Sequence, residues 1–230
     1  MKTVNDNRIL VVDDNDDIRM LLKLILEEAG HSVSVCENGN AAIRLLSEKS
    51  FSIVISDVQM PNGTGVELLE HLLQQPLPSP IFLFISGFAD FSIEEALDKG
   101  AYGIIPKPWD SLMLVEVVQR LLLPIKDRWS IPSAPTNEAP PVAIHPSYRL
   151  GRGGMIVSGT APVKKIGEKF SFSILEGQDE TLSGVGRLEW QRPDAYGFSF
   201  LEIAPNHLPD FLKKIDSLKT RAVIPINIED

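Results

Sequence analysis

The chain has 230 residues, of which 43% are hydrophobic and 23% charged. This is the composition of a globular protein, at a length that fits one large domain or two ordinary ones. One cysteine, Cys36, excludes an internal disulfide framework and a cysteine-rich zinc site. No run approaches the ~20 apolar residues of a membrane span. The N-terminus, MKTVNDNRIL, has no apolar region followed by a small-residue cleavage site. A soluble, cytoplasmic protein is the expectation. The net charge of −9 lies entirely before Arg128, where 10 basic residues face 19 acidic ones, whereas 12 face 12 from Arg128 onward. A polyanion would be repelled by the first part and not drawn to the second, so DNA binding is not expected.

From the N-terminus, short aliphatic runs alternate with amphipathic helical patterns. The runs are RILVVD, HSVSVC, FSIVIS, IFLFIS and YGIIP. The helical patterns lie near Asp16–Ala29, Asn40–Glu48, Val66–Gln74, Phe91–Lys99 and Ser111–Leu122. Five strand–helix units with near-continuous apolar strands predict a doubly wound α/β domain, its five-stranded parallel sheet covered on both faces. Gly30 and Gly100 stand where helices should stop.

Six of the seventeen prolines fall between Pro124 and Pro146. Such a stretch reads as a semi-extended linker. The expected division is residues 1–124 as the first domain, 125–141 as linker and 142–230 as a second domain. Beyond the linker the strand candidates are MIVSG, FSFSIL, VGRLEW and YGFSFLEI, punctuated by Gly, Pro and Asp. They predict a small antiparallel β-barrel. A last helix follows, with Leu208, Phe211, Leu212, Ile215 and Leu218 on one stripe and Pro209 in its first turn.

Ligands of open parallel sheets bind beyond the carboxyl ends of the strands. Asp13 and Asp14 follow the first strand, Asp57 the third, Ser86 the fourth and Lys107 the fifth. Three carboxylates at one edge repel each other unless a cation joins them. A hard divalent ion with oxygen ligands, typically Mg2+, meets that need and keeps room for a phosphoryl group. Singly, each residue has an ordinary reading as loop, helix cap, turn or surface charge; together, at this spacing, they make a site.

The motifs LVVDDNDD, IVISDVQMPNGTG, FLFISGF and IIPKP, in this order, resemble a response-regulator receiver domain of the CheY-like kind, from residue 8 to about 123. The resemblance implies a two-component response regulator, a signalling protein rather than an enzyme. Asp57 would be the phospho-acceptor, with Asp13, Asp14, Asp57 and the Gln59 backbone carbonyl around Mg2+. Ser86 would sense the phosphoryl group, and Lys107 would pair with it ahead of a cis peptide to Pro108. The donor would be a sensor histidine kinase or a phosphotransfer protein. One position departs from the family pattern: Ile104 stands where receivers usually carry an aromatic switch residue. The helix near Ser111–Leu122 is also unusually apolar. Met113 and Val117, four apart, suggest a contact face for a homodimer or for the second domain.

The pieces GRGGMIVSG, GVGRLEW and YGFSFLEIAPNHLPDFLKKI resemble a PilZ domain, a small β-barrel that in many relatives binds cyclic di-GMP. That family uses an Arg-x-x-x-Arg pair and an Asp-x-Ser-x-x-Gly loop; here the loop aligns as Arg149-Leu150-Gly151-Arg152-Gly153-Gly154, and the arginine pair is missing. The reading that follows is a divergent output domain acting on a protein target. The alternative is a cyclic di-GMP effector using Arg149 and Arg152, with charge added by Lys164 and Lys165, around a glycine-rich turn. The last helix mixes Lys213, Lys214 and Lys219 with Asp210 and Asp216, and its apolar stripe reads as core, against a DNA-recognition role. His145 and His207 stand apart, without metal-ligand spacing.

Overall fold

A computed structural model describes residues 8–76, 79–87, 92–133, 135, 139–145, 147–163, 165–218, 220 and 222–225. They form two compact units, Met1–Ser92 with Gly100–Leu122, and Ile93–Lys99 with Leu123–Asp230.

The first unit contains β1 (Arg8–Val12), α1 (Asp16–Glu28), β2 (Ser32–Cys36), α2 (Gly39–Glu48), β3 (Ile53–Asp57), α3 (Gly65–Gln74), β4 (Ile81–Ser86), β5 (Gly103–Pro106) and α5 (Ser111–Leu122); α4 (Ile93–Lys99) falls in the second unit by its contacts. The five strands form a parallel sheet in the order β2-β1-β3-β4-β5, as the alternating pattern predicts. Alternate strand residues Ile9, Val11, Ile53, Ile55, Leu83 and Ile85 pack with Leu22 and Leu26 of α1 and Leu114 and Val118 of α5. Leu10, Val54, Phe82 and Phe84, pointing to the other face, are equally buried. Burial on both faces is why these strands read as unbroken apolar runs.

Helix starts follow from local chemistry. The Asn15 side chain accepts the Ile18 N–H, and Asn38 accepts that of Ala41. Thr64 and Glu67 form a reciprocal capping box at α3. Gly30 and Gly100 adopt φ of 90° and 105° directly after helical segments, the conformation a side chain disfavours.

The second unit continues with α6 (Ile125–Arg128), β6 (Val142–Ile144), β7 (Tyr148–Leu150), β8 (Gly154–Ser158), β9 (Lys169–Glu176), β10 (Asp179–Gln191), β11 (Ala195–Ile203) and α7 (Leu208–Ser217). The expected antiparallel barrel is here a six-stranded mixed sheet, order β6-β9-β10-β11-β8-β7, with β6 and β7 as its edges. β6 runs parallel to β9 because it arrives from the proline-rich segment and not through a hairpin. On β11, Tyr196, Phe198 and Phe200 alternate onto the core, where Phe198 meets Phe170 and Phe172 at centroid distances of 5.1 Å each. α7 covers this face with Phe211 and Ile215, while Leu208, Leu212 and Leu218 pack around them, as the stripe predicts.

The segment expected as a spacer is partly structural. Trp129 is 5% exposed and stands edge-on to Phe211 at 5.0 Å and Phe200 at 6.5 Å. Its carbonyl accepts the Ile203 N–H, and the Ser133 N–H donates to Glu202. Burial of this one large aromatic supplies apolar area enough to dock the segment.

Candidate functional site

The carboxyl edge of the first sheet collects the expected residues. Asp13 follows β1 and Asp57 ends β3, neighbouring strands at the point where the strand order reverses. Asp13 is 1% exposed and Asp14 is exposed; with Asp57 they offer carboxylate oxygens that all lie within 4.8 Å of one another. Three hard oxygen donors at that separation fit a divalent cation such as Mg2+.

Lys107, just past β5, spans two of these carboxylates. Its Nζ lies 2.8 Å from Asp13 Oδ2 and 2.8 Å from Asp57 Oδ2. Asp57 Oδ1 accepts the Val58 N–H at 2.8 Å, and Asp13 Oδ1 accepts that of Asn15 at 2.9 Å. Burial pushes the Asp57 carboxyl above its ordinary range; Lys107 and the Val58 N–H oppose that only in part. Burial also works against the Lys107 ammonium, but its bonds to Asp13 and Asp57 prevail and raise its pKa.

Ser86 ends β4 beside Asp57 and is buried, its Oγ donating to the Gly87 carbonyl at 3.0 Å. Its own carbonyl accepts the Lys107 N–H at 2.8 Å, tying the Ser86 and Lys107 main chains together. The Lys107–Pro108 peptide is cis. Gln59 is exposed, two residues past Asp57. Gly65 closes the loop behind the acceptor: a Cβ there would stand 2.0 Å from the Asp57 carbonyl oxygen and 2.8 Å from Ser56 Oγ. Ile104 is half-buried in β5, paired with Phe84.

One contributor escapes the motifs. Arg19 on α1 donates from Nη1 to the Asp13 carbonyl at 2.6 Å and from Nη2 to Asp16 Oδ1 at 2.8 Å, pinning the loop that carries Asp13 and Asp14. Its only sequence signal is an i,i+3 charge pair, which surface helices also carry.

The α5 contact face is narrower than Met113 and Val117 suggest. Leu112 and Met113 are exposed, but Val117 is half-buried against the sheet core. A helix stripe wide enough to cover a sheet includes it.

In the second unit the glycine-rich turn is present, but Arg152 is engaged elsewhere. Its Nε donates to the Thr220 carbonyl at 2.8 Å and its Nη2 to that of Leu218 at 3.0 Å. Arg149 is half-buried in β7, Lys165 is exposed, and Lys164 lies outside the described residues. His145 is exposed, whereas His207 Nδ1 accepts the Ser183 N–H at 3.1 Å. No helix among the described residues is long and apolar enough to cross a membrane.

The family model of the response regulator receiver domain matches residues 9–119. The regulatory protein AtoC of Escherichia coli is 31% identical over 116 residues, 50% of this chain and 25% of that protein. The transcriptional regulatory protein FixJ of Bradyrhizobium diazoefficiens is 34% identical over 112 residues, 48% of this chain and 54% of its own length. An uncharacterized 14.6 kDa protein of Leptolyngbya boryana is 34% identical over 125 residues, 54% of this chain and 95% of that protein. The chain thus spans a quarter of AtoC and about half of FixJ. Through residues 9–119 it belongs to the response regulator receiver family.

Proposed function

We propose that the chain is a two-component response regulator in which Asp57 accepts a phosphoryl group from a histidine kinase or phosphotransfer protein. The observation that carries this is the convergence of Asp13, Asp57 and Lys107, with one ammonium 2.8 Å from both carboxylates. An Asp57 oxygen attacks phosphorus in line; the bond from phosphorus to the donor breaks, its electron pair leaving with the donor. Lys107 follows the charge of the transferred group, and Ser86 turns its hydroxyl from the Gly87 carbonyl to a phosphoryl oxygen. Asp13, Asp14, Asp57 and the Gln59 carbonyl would hold Mg2+, which when bound neutralises phosphoryl charge. A small phosphodonor with Mg2+ labels the wild type, and Asp57→Asn abolishes the label. Persistent labelling of that variant would overturn the assignment.

The second unit is read as a divergent PilZ-like output domain that acts on a protein target. The likeness rests on the sequence pieces quoted above, and the engagement of Arg152 by main-chain carbonyls favours a protein over a nucleotide ligand. Calorimetric titration of cyclic di-GMP into the full chain is expected to give no heat. Binding that is lost on neutralising Arg149 and Arg152 would replace this reading with that of a second-messenger effector. Charging Leu112 and Met113 tests a homodimer through α5, the mass in solution being the readout.

A further inference from the structure

The glycine-rich turn between β7 and β8 is already occupied. The Arg152 N–H donates to the Ala222 carbonyl at 2.8 Å and the Gly153 N–H to that of Val223 at 3.1 Å. The Arg152 guanidinium takes the carbonyls of Thr220 and Leu218. Four donors from two consecutive residues thus meet four carbonyls of residues 218–223. Among the described residues, the receiving segment adds no strand to the sheet, yet Val223 is 3% and Ile224 0% exposed. Gly151 is required by this approach, since a Cβ on it would stand 2.3 Å from the Val223 oxygen; a Cβ on Gly154 would meet the Phe198 carbonyl of β11 first, at 2.1 Å, and then Ile224 Cγ1 at 2.7 Å.

The turn reads the segment through its carbonyls, which any peptide backbone offers, while the Val223 N–H donates outside the turn, to the Leu97 carbonyl at 2.8 Å; selectivity then comes from the buried apolar positions. A segment joined to its own groove is held at an effective concentration of about millimolar, so an outside competitor meets a high but finite barrier. We propose that the turn Gly151–Gly154, with the Arg152 side chain, is a peptide-binding groove whose resident occupants are Leu218, Thr220 and Ala222–Ile224. The partner that displaces this segment presents a short stretch outside regular secondary structure, with small and aliphatic side chains in the places of Ala222, Val223 and Ile224. This rests on the protein-binding reading of the second unit and is independent of the phospho-acceptor.

Native-state hydrogen exchange on the full wild-type chain tests it. The Arg152 and Gly153 amides are expected to exchange at least tenfold faster than that of Phe198 in the core, through local release of the segment. A millimolar free peptide with the sequence of residues 218–225 should slow both at least threefold, while cyclic di-GMP should not. Exchange of these amides only together with the core, or no response to the peptide, overturns the proposal. Slowing by cyclic di-GMP alone overturns it too, together with the protein-binding reading. In the full chain, Ile224→Asp should bind the labelled peptide at least tenfold more tightly than wild type; equal affinities in a folded variant also overturn it. Should that variant fail to fold, the wild-type exchange experiment decides. A missing label on Asp57 would leave all these results unaffected.

Discussion

Lys107 Nζ stands 2.8 Å from Asp57 Oδ2 and equally far from Asp13 Oδ2, so one ammonium from beyond β5 bridges the carboxylates of β1 and β3. Asp13 is almost wholly buried and Asp57 largely so. Removing the cation leaves two carboxylates facing each other where water screens them poorly. Lys107→Ala is therefore expected to slow labelling of Asp57 by about 100-fold, the scale for loss of one preorganised charge-stabilising donor. An unchanged rate, followed with a small phosphodonor at saturating Mg2+, would reduce Lys107 to a structural pair.

Gly65 places a different constraint on the same site. A methyl group there meets the Asp57 carbonyl at 2.0 Å and cannot be absorbed by rotating a side chain. Gly65→Ala should cost about 1–3 kcal/mol of stability, as overpacking does. Labelling should slow as well, because the relaxation displaces the acceptor's own backbone. Denaturant unfolding and the labelling rate check both; loss of stability with normal labelling would mean that the loop moves without Asp57.

Trp129 separates a spacer from a docked segment. It packs against both Phe200 and Phe211, so Trp129→Ala should cost about 3–5 kcal/mol. A residue in a solvated linker would cost no more than about 0.5 kcal/mol. Thermal and denaturant unfolding followed by far-ultraviolet circular dichroism distinguish the two.

Tyr196 predicts the alkaline limit of the second unit. Burial pushes its phenol up to about 12, while in the unfolded chain it ionises near 10. The folded state therefore holds a proton that the unfolded state releases, and stability falls as pH rises from about 10 to 12. Below pH 10 both states are protonated and Tyr196 contributes no slope. Ultraviolet titration should show a phenolate appearing near 12 that Tyr196→Phe removes, and the variant should lose less stability over that interval.

The receiver pocket could be read from one dimension because β1, β3 and β4, buried on both faces, are almost wholly apolar. The polar residues that end or follow the runs, Asp13, Asp57, Ser86 and Lys107, then mark the sheet's carboxyl edge. The helix stops at Gly30 and Gly100 followed similarly, since a glycine there acts on backbone groups within a few residues.

Other features became visible only with the chain folded. Arg152 bonds to main-chain carbonyls 66 and 68 residues away, and a carbonyl carries no residue-type signature. Trp129 sits in a proline-rich stretch whose composition reads as solvated until Phe200 and Phe211 are brought against it. The parallel pairing of β6 with β9 depends on the path by which β6 arrives, and three residues have too little alternation to announce it. Local periodicity and strand-end polarity act over a few residues and survive in the sequence. Backbone acceptors, edge pairing and the destination of a lone aromatic are set by segments far along the chain, and exist only once packing has joined them.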